Sequence, residues 1–314
     1  MSRILVTGGT GFLGAWVVRA LFEAGHEVRV LDFAPKPENL DFVQAGLDGN
    51  VEIVVADICD ANAVNAAAAG CDGAVHLAGL MTVDCDRDPV RAIEVNLIGS
   101  QNLIAACRKA DIARVAYAST AAVYGASTNG VVWPETLYGT FKLALEGMMR
   151  VAHLQWGLAS AGFRPAIIYG PGVSSGIAAG PSIALRAAAL RKPSEIKFSG
   201  NVGFVYVADA AKALCAALDR QDTGAAIYDL GGDHASVDDF VAELKVQQPD
   251  AQTTINGLPL RIPEILEGAE RADWVDAAQS TRLNAGIAAS LAHWRRYLSR
   301  TKADANLSQN RVAG

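Results

Sequence analysis

The sequence predicts an α/β protein: a Rossmann-type, doubly wound parallel sheet carrying a small C-terminal lobe. Three observations predict it. In the first half of the 314 residues, short β-rich runs alternate with alanine-rich helical runs, and the strand runs are apolar on both faces. Strands covered by helices on both sides read that way. A glycine-rich turn, TGGTGFLG at Thr7–Gly14, joins the first strand to the first helix. Asp32 then ends the second strand, where an acidic residue belongs in a dinucleotide-binding unit.

The elements follow in order. RILVTG is a strand, and GAWVVRALFEAG a helix ending at Gly25, a suitable cap. EVRVLDF and VEIVVAD are the second and third strands, ANAVNAAAAG a short helix and GAVHLAG the fourth strand. RAIEVNLIGSQNLIAACRKA is a long helix, RVAYAST the fifth strand, ETLYGTFKLALEGMMRVAHLQ another long helix, and SAGFRPAIIYGPG holds the sixth strand. After Gly172 the rhythm breaks into a Gly/Ser-rich loop, helices and short strands. Residues 1–170 are therefore expected to form the dinucleotide-binding domain, with 203–230 returning to it. Residues 171–202 and 231–300 form the lobe, and the polar stretch 301–314 a flexible tail.

Composition narrows the function classes. The net charge of −6 is mild and no basic block stands out, so neither nucleic acid nor an anionic membrane surface is an expected partner. No run approaches the roughly 20 apolar residues of a membrane helix, and no basic-then-apolar leader opens the chain. A cytoplasmic location is expected. Cys59, Cys71, Cys85, Cys107 and Cys215 are scattered, which suits reduced thiols. The histidines have no ligand spacing, and no metal is expected.

The glycine turn has a chemical reading. Gly8 lets the chain turn sharply, Gly11 removes a side chain where a pyrophosphate approaches the backbone, and Gly14 lets helix and strand pack closely. The helix N-terminus adds free N–H groups and partial positive charge. Asp32 accepts hydrogen bonds from the adenosine ribose and repels a 2′-phosphate, which favours NAD over NADP. Asp57 ends the third strand; an adenine contact and a helix N-cap are equally good readings of it.

Tyr138 and Lys142 lie four residues apart on a helix, hence on one face. A tyrosine ionises near pH 10. A neighbouring ammonium, with an oxidised nicotinamide nearby, is expected to stabilise its phenolate. Such a phenol takes a proton from an alcohol as hydride leaves the carbon, or returns one to a ketone. YASTAAVYG runs from strand into loop at the sheet edge where open α/β sheets bind ligands. It presents Ser119 and Thr120, one of which can hydrogen-bond the substrate oxygen.

Taken together, these residues resemble an extended short-chain dehydrogenase/reductase of the NAD-dependent epimerase/dehydratase branch. The matches run in order from TGGTGFLG through Asp32, AD at Ala56–Asp57, HLAG at His76–Gly79, NLIGS at Asn96–Ser100, STAAVYG at Ser119–Gly125 and YGTFK at Tyr138–Lys142. RPAIIYGPG at Arg164–Gly172 and FVYVADAAKAL at Phe204–Leu214 complete them. The resemblance implies Thr120, Tyr138 and Lys142 as catalytic residues. It implies Gly8, Gly11, Phe12 and Leu13 at the pyrophosphate, Asp32 at the ribose, and Asp57 and Ile58 at the adenine. Leu77, Ala78 and Gly79 would lie along the middle of the cofactor. Asn96 would open toward the site or serve as a structural amide, and Tyr169 with the segment after it would reach nicotinamide and substrate. Met81, Thr82, Ala121 and Ser182, with Thr120 and Tyr138, are the expected substrate contacts.

Departures matter as much. Dehydratases of this type carry an Asp–Glu pair after the catalytic Thr; here stand Ala121 and Ala122. Many sugar-nucleotide epimerases carry an Asn where this chain has Ile167. Only Arg186, Arg191 and Arg261 offer themselves to a diphosphate. Three readings remain: an NAD-dependent dehydrogenase/reductase of a sugar, polyol or sugar-derived acid; a sugar 4-epimerase; and a non-catalytic NAD-binding sensor. Apolar residues on more than one face of the long helices (Leu137, Phe141, Leu145, Met148, Met149) suit either a homodimer or one thick core stripe.

Overall fold

The computed structural model describes residues 1–126, 130–173, 175–221, 224–270 and 272–312, with side chains as far as Thr301. Strands are β1 (Arg3–Thr7), β2 (Glu27–Asp32), β3 (Glu52–Val55), β4 (Gly73–His76), β5 (Arg114–Ala118), β6 (Ala159–Pro165), β7 (Ile167–Tyr169), β8 (Ser194–Ile196), β9 (Asn201–Tyr206), β10 (Ala225–Leu230), β11 (Asp233–Ser236) and β12 (Thr253–Ile255). Helices are α1 (Phe12–Glu23), α2 (Pro37–Val43), α3 (Ala61–Ala68), α4 (Thr82–Arg87), α5 (Pro89–Ile93), α6 (Gly99–Lys109), α7 (Leu137–Trp156), α8 (Gly180–Ala189), α9 (Val207–Leu218), α10 (Val237–Gln247), α11 (Asp273–Ala278) and α12 (Leu283–Val312).

Seven strands form one sheet in the order β10-β6-β5-β4-β1-β2-β3, all neighbours parallel. Alternation along β1 explains the double cover. Ile4 and Val6 enter a core with Trp16 and Val17 of α1 and Leu214 of α9, while Leu5 enters another with Ile104 of α6 and Leu145 and Met149 of α7. Burying each such side chain contributes roughly 1.5–3 kcal/mol. Helix ends follow local chemistry. Gly25 takes φ +83° just past α1, and Gly157 takes φ +72° at the end of α7, left-handed positions a Cβ resists. At the start of α7, the Thr136 hydroxyl accepts the Gly139 amide at 3.0 Å.

The structure departs from the sequence reading in four places. The expected sixth strand is two: β6 stays in the large sheet, and after Ala166 the chain enters β7, which pairs with β9. β9, expected to return to the large sheet, instead joins β7 and β11; β10 is the strand that returns. The long helix before β5 contains a π-helical turn, Glu94–Ile98, between α5 and α6. Helix α12 continues to Val312 through most of the stretch expected as a tail; Ala313 and Gly314 lie outside the described residues, as does Ser174 in the Gly/Ser-rich loop.

Segment 257–270 forms a strap. It begins where Gly257 abuts the Lys197 backbone and Ser199 bridges to Pro259. It crosses the sheet's C-terminal edge and ends with the Glu270 amide on the Ile227 carbonyl of β10 at 2.9 Å.

Candidate active site

The glycine turn forms as its composition requires. Gly8 takes φ +69°, and a Cβ there would meet the Ala78 amide nitrogen at 2.9 Å. A Cβ on Gly14 would stand 2.2 Å from the Gly8 carbonyl oxygen. The turn thus packs against the 77–79 loop on one side and the first turn of α1 on the other. Gly11 caps α1 with no side chain, so the amides of the first turn, at Phe12 and Leu13, stay available to an anion. That bare cradle fits a pyrophosphate. Asp32 closes the same turn by accepting the Thr10 hydroxyl at 2.6 Å and the Thr10 amide at 3.2 Å.

Around the cofactor's expected middle runs a buried chain. The Thr7 hydroxyl lies 2.7 Å from His76 Nδ1 and accepts the Leu77 and Ala78 amides at 3.3 and 3.2 Å. His76 Nε2 lies 2.9 Å from the Ser100 hydroxyl, which donates to the Asn96 carbonyl at 2.6 Å. Ser100 must therefore accept from Nε2–H, and Thr7 must donate to a bare Nδ1, which assigns the tautomer through the network. Burial, then the Lys142 charge, drops the imidazole pKa to about 3, so the ring stays neutral at physiological pH. Asn96 clamps Leu80, accepting its amide at 2.8 Å and donating to its carbonyl at 3.1 Å. Its amide is structural. A Cβ on Gly79 would touch Asn96 Oδ1 at 2.8 Å and approach Lys142 Nζ at 3.7 Å, so this loop lies directly against the catalytic helix.

Tyr138 and Lys142 lie on one row of α7. The Lys142 ammonium donates to the Ala118 carbonyl at 2.8 Å and stands 5.8 Å from the centre of the Tyr138 ring. Burial lowers its pKa to about 8. The Tyr138 phenol is pushed up, first by burial and then by the Cys85 thiol, while a hydrogen bond from Thr120 works the other way. Against the expectation that the ammonium and an oxidised nicotinamide together make the phenol basic, the protein's own contribution runs the other way, because desolvation dominates. In the bare chain Tyr138 is protonated. Thr120 also accepts the Ala122 amide at 3.1 Å, which fixes its side chain at the strand end.

Ser119 faces the other way. Its hydroxyl donates to Glu146 at 2.5 Å. Glu146 receives a forked Arg164 at 2.8 and 2.6 Å, and Arg164 also donates to the Tyr124 hydroxyl at 2.7 Å. Tyr124 donates to Asp229, whose Oδ2 accepts the Gly268 and Ala269 amides of the strap at 3.2 and 3.1 Å. Of the two adjacent hydroxyls, Ser119 is committed to Glu146 and Thr120 lies on the Tyr138 side. This chain escaped the sequence reading, although signals existed. Glu146 continues the Tyr138–Lys142 row by one more step of four, and Arg164 interrupts an apolar strand.

Several expected contacts are placed elsewhere. The Tyr169 ring is fully buried against Phe204, Tyr206 and Phe240, leaving only its main chain to face a ligand. Ser182 is buried and donated to by the Gly170 amide at 3.0 Å, so it shapes the loop rather than touching substrate. Ala121 packs with Val123, Tyr124 and Leu266 in a small core. Ile58 is buried, its side chain against Gly99. Met81 is open to solvent beside the half-buried Thr82. Asp57 does not cap α3; Asp60 does, accepting the Asn62 and Ala63 amides. Burial raises the Asp57 pKa, but the Cys59 amide and the Arg91 guanidinium outweigh it and hold the carboxyl below its usual value.

A glycine turn with free amides, a carboxylate at the end of β2 and a Thr–Tyr–Lys group at one sheet edge have the chemistry that a dinucleotide-dependent oxidoreductase site requires. Comparison with known proteins agrees. The profile of the NAD dependent epimerase/dehydratase family matches residues 4–231, and the chain belongs to that family. It is 29% identical over 257 residues to a UDP-N-acetyl-alpha-D-glucosaminuronate decarboxylase of Bacillus cytotoxicus, covering 77% of this chain and 79% of that one. It is 32% identical over 234 residues to a 2-alkyl-3-oxoalkanoate reductase of Stenotrophomonas maltophilia, covering 71% and 67%. Among solved structures, the UDP-glucose 4-epimerase of Thermus thermophilus in complex with NAD superposes with a TM-score of 0.77 at 27% identity, covering 93% of this chain and 99% of that one. The protein is an NAD-dependent enzyme. Among the described residues no helix is long and apolar enough to cross a membrane.

Proposed function

We propose that the chain oxidises or reduces a secondary alcohol or ketone carbon of a sugar, polyol or sugar-derived acid, with Tyr138 moving the proton. The observation carrying this is the placement of Tyr138 and Lys142 on one row of α7, the Lys142 ammonium 5.8 Å from the centre of the Tyr138 ring and tied to the Ala118 carbonyl at 2.8 Å. Bound NAD would supply the hydride acceptor for oxidation, its reduced form the hydride donor for reduction, and the oxidised ring a positive charge near the phenol. Gly8, Gly11, Phe12 and Leu13 hold its pyrophosphate and Asp32 its ribose. Thr120 hydrogen-bonds the substrate oxygen and aims it at Tyr138. In reduction, Tyr138 gives its proton to that oxygen; in oxidation it takes the proton back. Lys142 is mostly charged at pH 7, and its ammonium favours the phenolate whenever the proton has moved.

A free polyol or acid suits the lobe better than a sugar nucleotide. Ile167 is buried in β7, paired with Phe204, and offers a diphosphate nothing. Arg186 lies over the Trp294 ring, and Arg261 pairs with Glu135 at 3.1 Å. The 4-epimerase reading is supported by the likeness to the Thermus thermophilus enzyme and to a UDP-glucose 4-epimerase of Halalkalibacterium halodurans. A panel of sugars, polyols, sugar acids and sugar nucleotides, followed by NADH absorbance, separates them. Steady NADH production from a free polyol or sugar acid is the expected outcome. Turnover of a sugar nucleotide without added cofactor would replace this reading with the epimerase. NAD binding with no turnover of any compound would leave the sensor.

The enzyme acts as a cytoplasmic homodimer. Val90, Ile93, Ile98, Val151 and Leu154 are open to solvent along α5, the π-helical turn and α7, whereas Phe141, Leu145 and Met149 fill the core. Large apolar side chains exposed on neighbouring helices ask for a cover. Sedimentation equilibrium should give twice the mass of one chain; the monomer mass would refute the pairing.

A further inference from the structure

Two loops deliver the reacting groups, the turn that follows Thr120 and the segment 130–136 that leads into α7. The strap touches both. Leu266 is buried with Ala121, Val123 and Tyr124 of the turn. Arg261 pairs with Glu135 at 3.1 Å. A Cβ on Gly268 would stand 2.5 Å from the Tyr124 ring and 2.6 Å from the Gly130 carbonyl oxygen. The strap therefore lies along the flank of Thr120 and Tyr138, pressed against both loops at Gly268.

Chemistry ranks what holds it there. The Arg261 side chain is 77% exposed, so its ion pair is screened and contributes little. The contact from Asn201 to Glu264, at 3.5 Å, is long. At the far end the Glu270 amide is fixed to the main chain of β10. Asp229 of β10 is the strong side-chain hold. It is half-buried, and its Oδ2 accepts the Gly268 and Ala269 amides at 3.2 and 3.1 Å. The Tyr124 hydroxyl donates to the same carboxylate at 2.9 Å. Hydrogen bonds to an ionised acceptor are stronger than neutral ones. Through Tyr124, Arg164 and Glu146, that carboxylate is also joined to the helix that carries Tyr138 and Lys142.

We propose that Asp229 is a positioning residue for the reaction: its grip on the Gly268 and Ala269 amides holds the strap beside the reacting groups, where the strap walls the substrate space and keeps water out of it. Asp229 acts through the strap and touches no reacting atom. The proposal rests on the reading of Thr120, Tyr138 and bound NAD as the reacting site.

Three variants test it. Asp229→Ala removes the acceptor. Asp229→Asn keeps one carbonyl oxygen for the two amides. Gly268→Ala leaves Asp229 intact and drives the strap off its seat by the added Cβ. The probe is bound NADH, whose fluorescence is quenched by iodide, and hydrogen exchange is read on the 257–270 peptide. Asp229→Ala and Gly268→Ala should speed exchange at residues 268 and 269 about tenfold. Both should raise quenching about twofold as water and ions reach the ring, with NADH affinity unchanged. Asp229→Asn should restore most of each loss, which a bare requirement for charge would not allow. Unchanged exchange in Asp229→Ala overturns the proposal. So does faster exchange with unchanged quenching, because the strap would then shield nothing. Should Asp229→Ala fail to fold, Gly268→Ala decides by the same two readings. If the unaltered protein binds no NADH, the reacting-site reading itself fails and the proposal falls with it, a result distinct from the others.

Discussion

Successive turns of α7 carry two polar groups of opposite character. On the first, the Tyr138 phenol lies beside Thr120 and the Lys142 ammonium has one carbonyl, that of Ala118. On the next, Glu146 accepts Ser119 and both arms of Arg164, and the chain continues through Tyr124 to Asp229 and the strap. Both groups are buried. The rear one is saturated with hydrogen bonds, while the front one keeps donor and acceptor capacity in hand. That difference separates a group built to stay from one built to exchange a proton: saturation fixes geometry, and incomplete satisfaction leaves room for a reacting oxygen.

Breaking the rear group should have the larger effect on the fold. Arg164→Ala strands the buried Glu146 carboxylate and should cost about 3–5 kcal/mol of stability, read as a lowered urea midpoint. Arg164→Lys keeps the charge without the fork and should lose less. An unshifted midpoint in the alanine variant would mean that Glu146 is hydrated, and the contrast between the turns would disappear. Breaking the front group should leave the midpoint alone and act on rate. Tyr138→Phe should lower kcat at least about 10²-fold, equivalent to about 2.7 kcal/mol of barrier. A variant that kept most of its activity would show that another group carries the proton.

What the sequence disclosed follows the same line. The glycine turn, Asp32 and the Tyr138–Lys142 spacing are local: each works through neighbours in the chain, so pattern alone reveals it. The parallel sheet was equally legible, because burial on both faces leaves its mark in every strand. Partners far apart in the chain were not. Nothing near Asp57 announces Arg91, and nothing near Ser119 announces that it turns toward Glu146 while Thr120 turns toward Tyr138. Tyr169 and Ser182 sit in motif positions, but aromatic packing and a loop amide claim their side chains. The pull of burial on Tyr138 is hidden from the sequence for the same reason. The depth of a side chain belongs to the assembled core and not to its own helix.

The passage from β6 to β7 through Ala166 alone has a mechanical consequence. One continuous backbone segment, extended on both sides of a single residue, serves two sheets at once, and β10 and β11 repeat the join through Gly231 and Gly232. Two such short joins leave little chain between the sheets. The strap at 257–270, which belongs to neither sheet, is then the segment whose displacement disturbs neither one.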